Sequence, residues 1–344
     1  MTNMKNNNFP KVPSLREGVW GWAVGLIVLF LIGFFIARYT GDEVKTLKRT
    51  QILLGTVVEI QIRNTDEQKA NDAITKAFVE IKKIDNLFTT YNEESPVWKI
   101  NNSDDSLFIV DEEIFSLMVL CDSLWRISDG SFDVAIESLI QVWGFDAKTP
   151  EVPNDDKIKS ALNQSGWKNI KMLNEKKIHR NQKVGLNFGA IAKGYAVDRS
   201  IEVLIQSGIT EAFVNAGGEI KTLGNDWIAG IQHPREMKEI ISKIKLNGIS
   251  VATSGDYENY FEKDGVRYHH ILDPKSGYPA KGIQSVTVIH KNNAFADGLT
   301  TAVFVMGKTK GLELIENLKD TDAMIINDEG KIFYSSGFEK FLTN

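Results

Sequence analysis

A single uncharged segment near the N-terminus restricts the possible structures of this chain more than any other feature. Residues 18–37, GVWGWAVGLIVLFLIGFFIA, include no Asp, Glu, Lys or Arg. As an α-helix, about 20 residues extend about 30 Å, which is the thickness of the hydrocarbon core of a bilayer. Trp20, Trp22 and Tyr39 lie near its ends, where aromatic rings favour the membrane interface. The segment predicts one transmembrane helix over residues 18–39.

Two other interpretations of this segment stay open. A cleaved signal peptide has a shorter apolar region that is followed by small residues, whereas this segment ends in the sequence IARY at residues 36–39. A buried helix of a soluble protein rarely reaches this length without a polar residue. We therefore favour an uncleaved anchor, with an N-terminal flank at residues 1–17, a linker at residues 40–50 and a body at residues 51–344.

The basic residues beside the segment bear on its orientation. Lys5, Lys11 and Arg16 precede it, and further Lys and Arg residues follow it, so the positive-inside rule is nearly balanced. A short positive N-terminus before a first apolar helix usually stays in the cytoplasm. We expect a single-pass protein of the inner (cytoplasmic) membrane whose body is periplasmic. No cysteine directly follows the segment, which excludes a lipobox-type anchor.

Charge and cysteine content exclude several classes of site. Asp and Glu number 45 and Lys and Arg number 40, so the formal net charge is −5. Nucleic-acid binding usually requires an excess of Lys and Arg to replace counterions at the phosphates, so we expect no nucleic-acid partner. The single cysteine, Cys121, excludes an internal disulfide and any metal site built from several cysteines. We expect its thiol to pack on the core face of a helix.

The spacing of apolar residues predicts a mixed α+β body. Helical periodicity and β-branched strand-like segments alternate along the chain, and several strand segments are adjacent. This interspersed order is typical of the α+β class. Predicted helices cover residues 66–86, 114–127, 192–207, 296–306 and 310–318. Predicted strands cover residues 53–62, 177–189 (a pair), 212–220, 227–233, 243–254, 283–290, 322–327 and 331–336.

Two glycine-containing segments could approach an anionic ligand. NFGAIAKGYAVD, residues 187–198, leads from a predicted strand into a helix, and free N–H groups at a helix start attract anions. It lacks the GK[ST] of a P-loop, and an ordinary strand–helix connection is the alternative. VNAGGEI, residues 214–220, contains Gly217 and Gly218. They permit positive φ and close approach of a ligand, or they form only a hairpin turn.

Two polar pairs are candidates for chemistry. His269 and His270 are adjacent, so on a strand only one of them can face a given site, where it could act as a general base. The alternative is one packed and one solvated histidine. Asp297 and Thr301 are four residues apart on a predicted helix and could share one hard cation such as Mg²⁺. A helix cap formed by Asp297 explains the same pattern.

The order of these segments resembles the signature blocks of one family. NFGAIAKGYAVDRS, VNAGGEI, SGDYENYF, HHILDPKSGYP and ADGLTTAVFVMG follow one another between residues 187 and 307. LFTTYNEES at residues 87–95 and SDGSFDVAIESLIQVWGFD at residues 128–146 fit the same pattern. On these residues, the chain resembles the ApbE family, the FAD:protein FMN transferases, over about residues 50–340.

The resemblance implies an ApbE-like, T-fold-like body that uses FAD as substrate and Mg²⁺ as cofactor. Enzymes of this family attach FMN from FAD to a Ser or Thr hydroxyl of an acceptor protein and release AMP. By resemblance, the Mg²⁺ ligands would be the carbonyl of Ala190, Asp297 and Thr301. His270 would be the catalytic base or would position the attacking hydroxyl. FAD contacts would come from Leu54, Tyr91, Ser131, Phe132, Asp133, Asn187, Lys193, Asp256, Tyr257 and His270.

Three positions depart from the family pattern or only support it. Leu54 stands where Met is common, and Asn187 stands where many relatives have Asp. Glu219 matches an acidic position that is usually Asp, and we expect it to support the site.

The resemblance leaves the acceptor and the reaction outcome open. Family analogy implies a flavin-carrying subunit of a membrane redox complex as the acceptor protein. An FAD pyrophosphatase that releases FMN and AMP would use the same metal site. A non-catalytic, membrane-anchored flavin-binding protein would need only the FAD contacts.

Overall fold

An eight-stranded antiparallel sheet lies at the centre of the body. The structure is a computed structural model, and it describes residues 45–174, 176–181, 183–236 and 238–343. All neighbouring strands of this sheet are antiparallel. Their spatial order is β1 (Thr46–Leu53), β2 (Thr56–Arg63), β6 (Ala212–Ala216), β7 (Glu219–Leu223), β10 (Ser250–Gly255), β13 (Ile283–His290), β14 (Asp322–Asn327) and β15 (Ile332–Tyr334).

Three smaller sheets surround the large one. The first has the order β16 (Leu342–Thr343), β9 (Ile240–Leu246) and β8 (Trp227–Gln232). The second has the order β3 (Leu107–Ile109), β5 (Lys177–Arg180) and β4 (Ile170–Leu173). The third is a hairpin of β11 (Tyr260–Lys263) and β12 (Val266–His269).

The described residues form seven α-helices and two short 3₁₀ segments at Trp167–Asn169 and Phe338–Phe341. The two longest helices, α1 and α7, begin at a side-chain cap. Helix α1 has an apolar stripe toward the body, whereas α7 is buried around most of its circumference from Asn293 to Phe304. The helices are α1 (Glu67–Phe88), α2 (Pro96–Asn102), α3 (Glu112–Ile127), α4 (Glu137–Trp143), α5 (Asp155–Asn163), α6 (Ala192–Gln206) and α7 (Asn293–Glu316).

The large sheet is covered on both faces, which explains why strand β13 is buried along its whole length. Helices α1, α6 and α7 pack on one face, where Val214 of β6 belongs to the larger core cluster. The sheet of β8 and β9 packs on the other face, where Phe213 joins a second cluster with Trp227. All eight residues of β13 are therefore buried. The predicted α+β class is confirmed.

The predicted elements agree with the structure where their periodicity is long. Helices α1, α3 and α6 occur as predicted, and Cys121 is buried in the core face of α3. Helix α7 is broken at Gly307, which has φ 76° and ψ 173°, so the two predicted helices at its ends are confirmed as separate segments.

Several predicted strand boundaries differ from the structure. The predicted strands at residues 212–220 and 243–254 are each divided by a turn, into β6 and β7 and into β9 and β10. Residues 46–50, which we assigned to the linker, form the first part of β1, and the predicted strand at residues 53–62 is interrupted by the turn at Leu54 and Gly55. The second predicted strand of the pair at residues 177–189 is wrong, because the described residues after Arg180 run without regular structure to α6. Their hydrogen bonds go to other segments, such as that from Asn187 N to Val134 O, 2.7 Å.

Within the described ranges, no helix combines the length and the apolar character that crossing a bilayer requires. The anchor that we predicted at residues 18–39 lies outside those ranges.

Candidate active site

A cavity of about 950 Å³ lies at the end of the large sheet where the β1–β2 and β6–β7 turns meet the start of α6. Ligand sites of small-molecule enzymes are usually clefts of about 300–1,000 Å³. The cavity brings together residues that lie more than 200 positions apart in the chain. Six of the predicted FAD contacts line it: Leu54, Tyr91, Asn187, Lys193, Tyr257 and His270.

The two hairpin turns at the cavity explain the glycine pair of the VNAGGEI segment. Leu54 has φ 55° at the β1–β2 turn, and Gly217 has φ 69° at the β6–β7 turn. A Cβ atom on Gly217 would lie 2.5 Å from Thr56 Oγ1, so only glycine fits between the two turns. The expected hairpin turn is confirmed, and Gly217 and Gly218 also line the cavity.

The start of α6 is bound by a carboxylate from α7. Gly194 N donates to Asp297 Oδ2 at 2.9 Å, and a Cβ atom on Gly194 would lie 2.8 Å from Asp297 Cβ. The cap of α7 itself is Asn292, whose Oδ1 accepts from Phe295 N at 2.7 Å, so the alternative that Asp297 caps its own helix is wrong. The N–H of Gly194, which we considered for anion binding, is engaged by the protein's own carboxylate.

The three predicted Mg²⁺ ligands lie in α7 or in the turn directly before α6. Ala190 is in the turn directly before α6, and Asp297 reaches the first turn of that helix. Thr301 Oγ1 lies 3.4 Å from Ser254 Oγ, on the side of α7 that faces β10. Among the described residues, no group of three or more His, Cys, Asp or Glu side chains is arranged to hold a metal ion. The predicted set contains only one such side chain, because its other donors are a carbonyl and a hydroxyl.

Lys193 and three carboxylates form a charged cluster beside the cavity. Lys193 Nζ lies 3.0 Å from Glu219 Oε1 and 3.8 Å from Glu258 Oε2. Burial opposes the ammonium charge, but Glu219, Glu258 and Asp297 outweigh this effect and raise the pKa of Lys193. Glu219 is only 1% exposed, and burial raises the pKa of its carboxyl well above the usual range. Glu219 Oε2 has no hydrogen-bond partner in the described part of the chain.

The adjacent histidines have different roles, as their alternation on a strand predicted. His269 is packed inside: Ile271 N donates to its Nδ1 at 3.3 Å, so its Nε2 carries a proton and donates to Ala280 O at 2.9 Å. His270 lines the cavity, and its Nδ1 lies 3.2 Å from Asn259 O. A carbonyl only accepts, so Nδ1 carries the proton and Nε2 can act as an acceptor. Burial first, and then the charge of Lys193, lowers the pKa of His270 to about 4.

The remaining predicted FAD contacts are outside the cavity lining. Phe132 is fully buried and packs where Gly298 of α7 leaves room for its ring. Ser131 is also buried, and both oxygens of Asp133 accept backbone N–H bonds, from Ala135 at 2.7 Å and from Trp167 at 2.9 Å. Asp256 forms a two-bond ion pair with Arg235, at 2.7 and 2.8 Å.

The sequence did not predict three residues of the site, Glu137, Glu258 and Asn259. Glu137 Oε2 accepts from Asn187 Nδ2 at 2.8 Å, and burial raises the pKa of Glu137. Glu258 and Asn259 line the cavity beside Tyr257. All three residues lie in segments that resemble the family pattern, Glu137 at residues 128–146 and Glu258 and Asn259 in SGDYENYF, so their place in these motifs was a usable signal.

Comparisons with known proteins identify the family of the chain. The ApbE family model matches residues 54–325. A FAD:protein FMN transferase of Klebsiella pneumoniae is 33% identical over 291 residues, which are 83% of this chain and 90% of that protein. One from Treponema pallidum is 26% identical over 92% of this chain and 94% of that protein.

Solved structures lead to the same family. The ApbE protein of Thermotoga maritima has a TM-score of 0.82 at 33% identity, covering 87% of this chain and 100% of that chain. The flavin transferase ApbE of Vibrio cholerae has a TM-score of 0.78 at 27% identity, over 87% of this chain and 100% of that chain. The fold, the ordered motifs and these matches together establish that the chain belongs to the ApbE family.

Proposed function

We propose that the protein is a FAD:protein FMN transferase that attaches FMN from FAD to a Ser or Thr hydroxyl of an acceptor protein and releases AMP. The proposal rests mainly on one observation: six of the ten predicted FAD contacts line the same cavity. These six come from segments that are distant in the chain, and one of them, His270, presents a nitrogen that can accept a proton. The names of the relatives supply the reaction class.

The proposed reaction is a phosphoryl transfer. The acceptor hydroxyl attacks the phosphorus in the FMN half of FAD, one O–P bond forms, and the P–O bond of the pyrophosphate bridge breaks. AMP leaves with the bridging oxygen. His270 Nε2 accepts the hydroxyl proton, because the pKa of about 4 leaves the imidazole neutral at pH 7. Lys193 at the cavity wall can attract the phosphates of FAD.

The residues that would hold Mg²⁺ fit a hard cation. The Ala190 carbonyl, the Asp297 carboxylate and the Thr301 hydroxyl supply oxygen donors, which Mg²⁺ prefers. Next to them, Glu219 Oε2 is buried without a hydrogen-bond partner among the described residues, so the site has negative charge to compensate. When bound, Mg²⁺ would neutralise charge on the phosphates. Gly194 N holds Asp297 in place for that role.

The membrane anchor at residues 18–39 is part of the proposal. A single-pass inner-membrane protein with a periplasmic body would meet flavin-carrying subunits of membrane redox complexes on the same surface. The apolar segment and the short basic N-terminal flank support this location.

A mass-based assay tests the proposed function. The full chain in detergent is mixed with FAD, Mg²⁺ and a candidate acceptor subunit, and the acceptor is weighed by mass spectrometry. We expect a covalent gain equal to FMN, one AMP released per adduct, and no gain with EDTA or with an acceptor whose target hydroxyl is removed. A folded enzyme that modifies none of a panel of such acceptors would contradict the proposal.

The same assay separates the alternatives. Rapid AMP release without any acceptor would favour an FAD pyrophosphatase, in which water replaces the protein hydroxyl. FAD binding that persists in Asp297→Ala, without AMP release by the wild type, would favour a non-catalytic flavin-binding protein.

A further inference from the structure

Asp146 joins two segments at the edge of the cavity. Its Oδ2 accepts a hydrogen bond from the Tyr91 phenol, and its Oδ1 accepts from Asn259 Nδ2 at 3.1 Å. Tyr91 and Asn259 both line the cavity, from opposite ends of the body's sequence. The Asp146 carboxylate therefore fixes the distance between two parts of the cavity wall.

Asn259 connects this carboxylate to His270. The backbone oxygen of Asn259 accepts from His270 N at 3.0 Å and faces His270 Nδ1 at 3.2 Å. These contacts close the base of the β11–β12 hairpin and place the proton of the imidazole on Nδ1. A shift of Asn259 would therefore move the ring and weaken the bond that selects its tautomer.

Aromatic packing fixes the backbone beside Asp146. The ring of Phe145 stacks on Trp143 with centroids 5.6 Å apart, and it lies 5.9 Å from Phe261 of the same hairpin. The Trp143 indole also donates to Gly277 O at 2.8 Å. The loop after α4 is thus attached to the hairpin through apolar packing as well as through Asp146.

We propose that Asp146 is a positioning residue that, through Asn259, holds the His270 imidazole with its proton on Nδ1 and its Nε2 available as the base. The inference rests on the proposed FMN transfer for its effect on rate. Its effect on the tautomer of His270 is independent of that function.

An exchange of donor and acceptor tests the contact itself. Asp146→Ala removes both hydrogen bonds at position 146, whereas in Asp146→Asn the amide oxygen can still accept from Asn259 Nδ2 and the amide nitrogen can donate to the Tyr91 phenol oxygen. Asn259→Asp alone places two carboxylates together. In the double variant Asp146→Asn, Asn259→Asp, the amide at position 146 can donate to the carboxylate at position 259 and still accept from Tyr91. We expect Asp146→Ala and Asn259→Asp each to lower kcat for FMN transfer about tenfold, and the double variant to recover to within about threefold of wild type.

The tautomer is measured by ¹⁵N NMR of the full chain labelled at its five histidines. We expect His270, assigned with His270→Gln, to have its proton on Nδ1 in wild type and to become a mixture of tautomers in Asp146→Ala. Asp155→Ala is the matched control, because that exposed carboxylate also accepts from a tyrosine phenol, Tyr278, but lies outside the cavity lining.

The outcomes are distinct. A mixed tautomer in Asp146→Ala and recovery in the double variant support the proposal. An unchanged tautomer with unchanged kcat in Asp146→Ala, an equal loss in Asp155→Ala, or no recovery in the double variant overturns it. If wild type forms no FMN adduct, the proposed function fails, and the NMR comparison alone decides the role of Asp146.

Discussion

Replacing Asp297 with Asn separates its proposed role as a Mg²⁺ ligand from its hydrogen bond to the start of α6. The amide oxygen of Asn can still accept from Gly194 N, which Asp297 Oδ2 does at 2.9 Å. The negative charge is lost. Capping should therefore survive this substitution, whereas binding of a divalent cation should not.

The expected change in stability follows from the burial of Asp297, which is 3% exposed. Burial, then the charges of Glu258 and Asp198, raises the pKa of Asp297 to about 6 against the usual 3.8, although Lys193 and Gly194 oppose this. The folded state thus binds more protons between pH 3.8 and 6, and stability falls as the pH rises through that window. At pH 7.5 and without Mg²⁺, the ionised carboxylate costs about 3 kcal/mol, at about 1.4 kcal/mol per pKa unit.

Asp297→Asn removes that cost but buries an amide, so we expect a net gain of about 1–2 kcal/mol in the free energy of unfolding. Urea unfolding at pH 7.5 in EDTA measures this gain. AMP release with Mg²⁺ and FAD should fall at least about 100-fold, and added Mg²⁺ should stabilise wild type but not the variant.

Asp133→Asn provides the comparison for stability. Burial also raises the pKa of Asp133 to about 6, but both of its oxygens accept backbone N–H bonds. In Asp133→Asn, the amide nitrogen would face one of these two backbone N–H groups, so two donors would meet and one hydrogen bond would be lost. We therefore expect this variant to be less stable than wild type. Mg²⁺-dependent turnover in Asp297→Asn would contradict the ligand role, and a stability loss as large as that of Asp133→Asn would show that Asp297 is structural.

Three further predictions concern packing, pH and the membrane. Gly194→Ala would place a Cβ atom 2.5 Å from Asn293 O, a backbone atom, so we expect a loss of about 2–3 kcal/mol in urea unfolding together with loss of AMP release, and an unchanged midpoint would contradict this. Burial lowers the pKa of His269 to about 4. As the pH falls from 6.5 to 4, only the unfolded state binds this proton, so the free energy of unfolding decreases by up to about 3 kcal/mol. His269→Gln should flatten that part of the pH–stability curve, and an equal slope would count against it. Deleting residues 1–39 should move the protein from the membrane to the soluble fraction after ultracentrifugation, and continued sedimentation with membranes would contradict the anchor.

Local patterns predicted the elements of the fold, because helical and strand periodicity depend on near neighbours. Helix α6 and strand β13 occur within one residue of their predicted ends. The first strand was missed because residues 46–50, TLKRT, lie at the edge of the sheet and include only one apolar side chain. The turn at Leu54 was missed because a non-glycine residue with φ 55° has no reliable local signal.

The candidate site was predictable in its motifs but not in its contacts. The spacing of Asp297 and Thr301 placed both on one face of α7, and the histidine pair predicted that one ring faces a site. The partners of these residues are distant in the chain: Gly194 lies 103 residues from Asp297. Asp146 ends the segment at residues 128–146, but that motif indicated no role for it, since its role depends on a loop that aromatic packing attaches to a distant hairpin.

The start of α6 lacks a cap from its own neighbouring residues and is capped instead by a residue that is distant in the chain. The residue before this helix, Ile191, makes no side-chain cap hydrogen bond, although a helix start has four N–H groups without intrahelical partners. Ala192 N bonds to Phe188 O at 2.8 Å, and Gly194 N bonds to Asp297. A side chain at position 194 would prevent the second bond, because its Cβ atom would meet α7. An apolar residue at the cap together with a glycine in the first turn therefore indicates that a carboxylate from elsewhere caps the helix. Here that requirement places the predicted Mg²⁺ ligand against the glycine-containing turn.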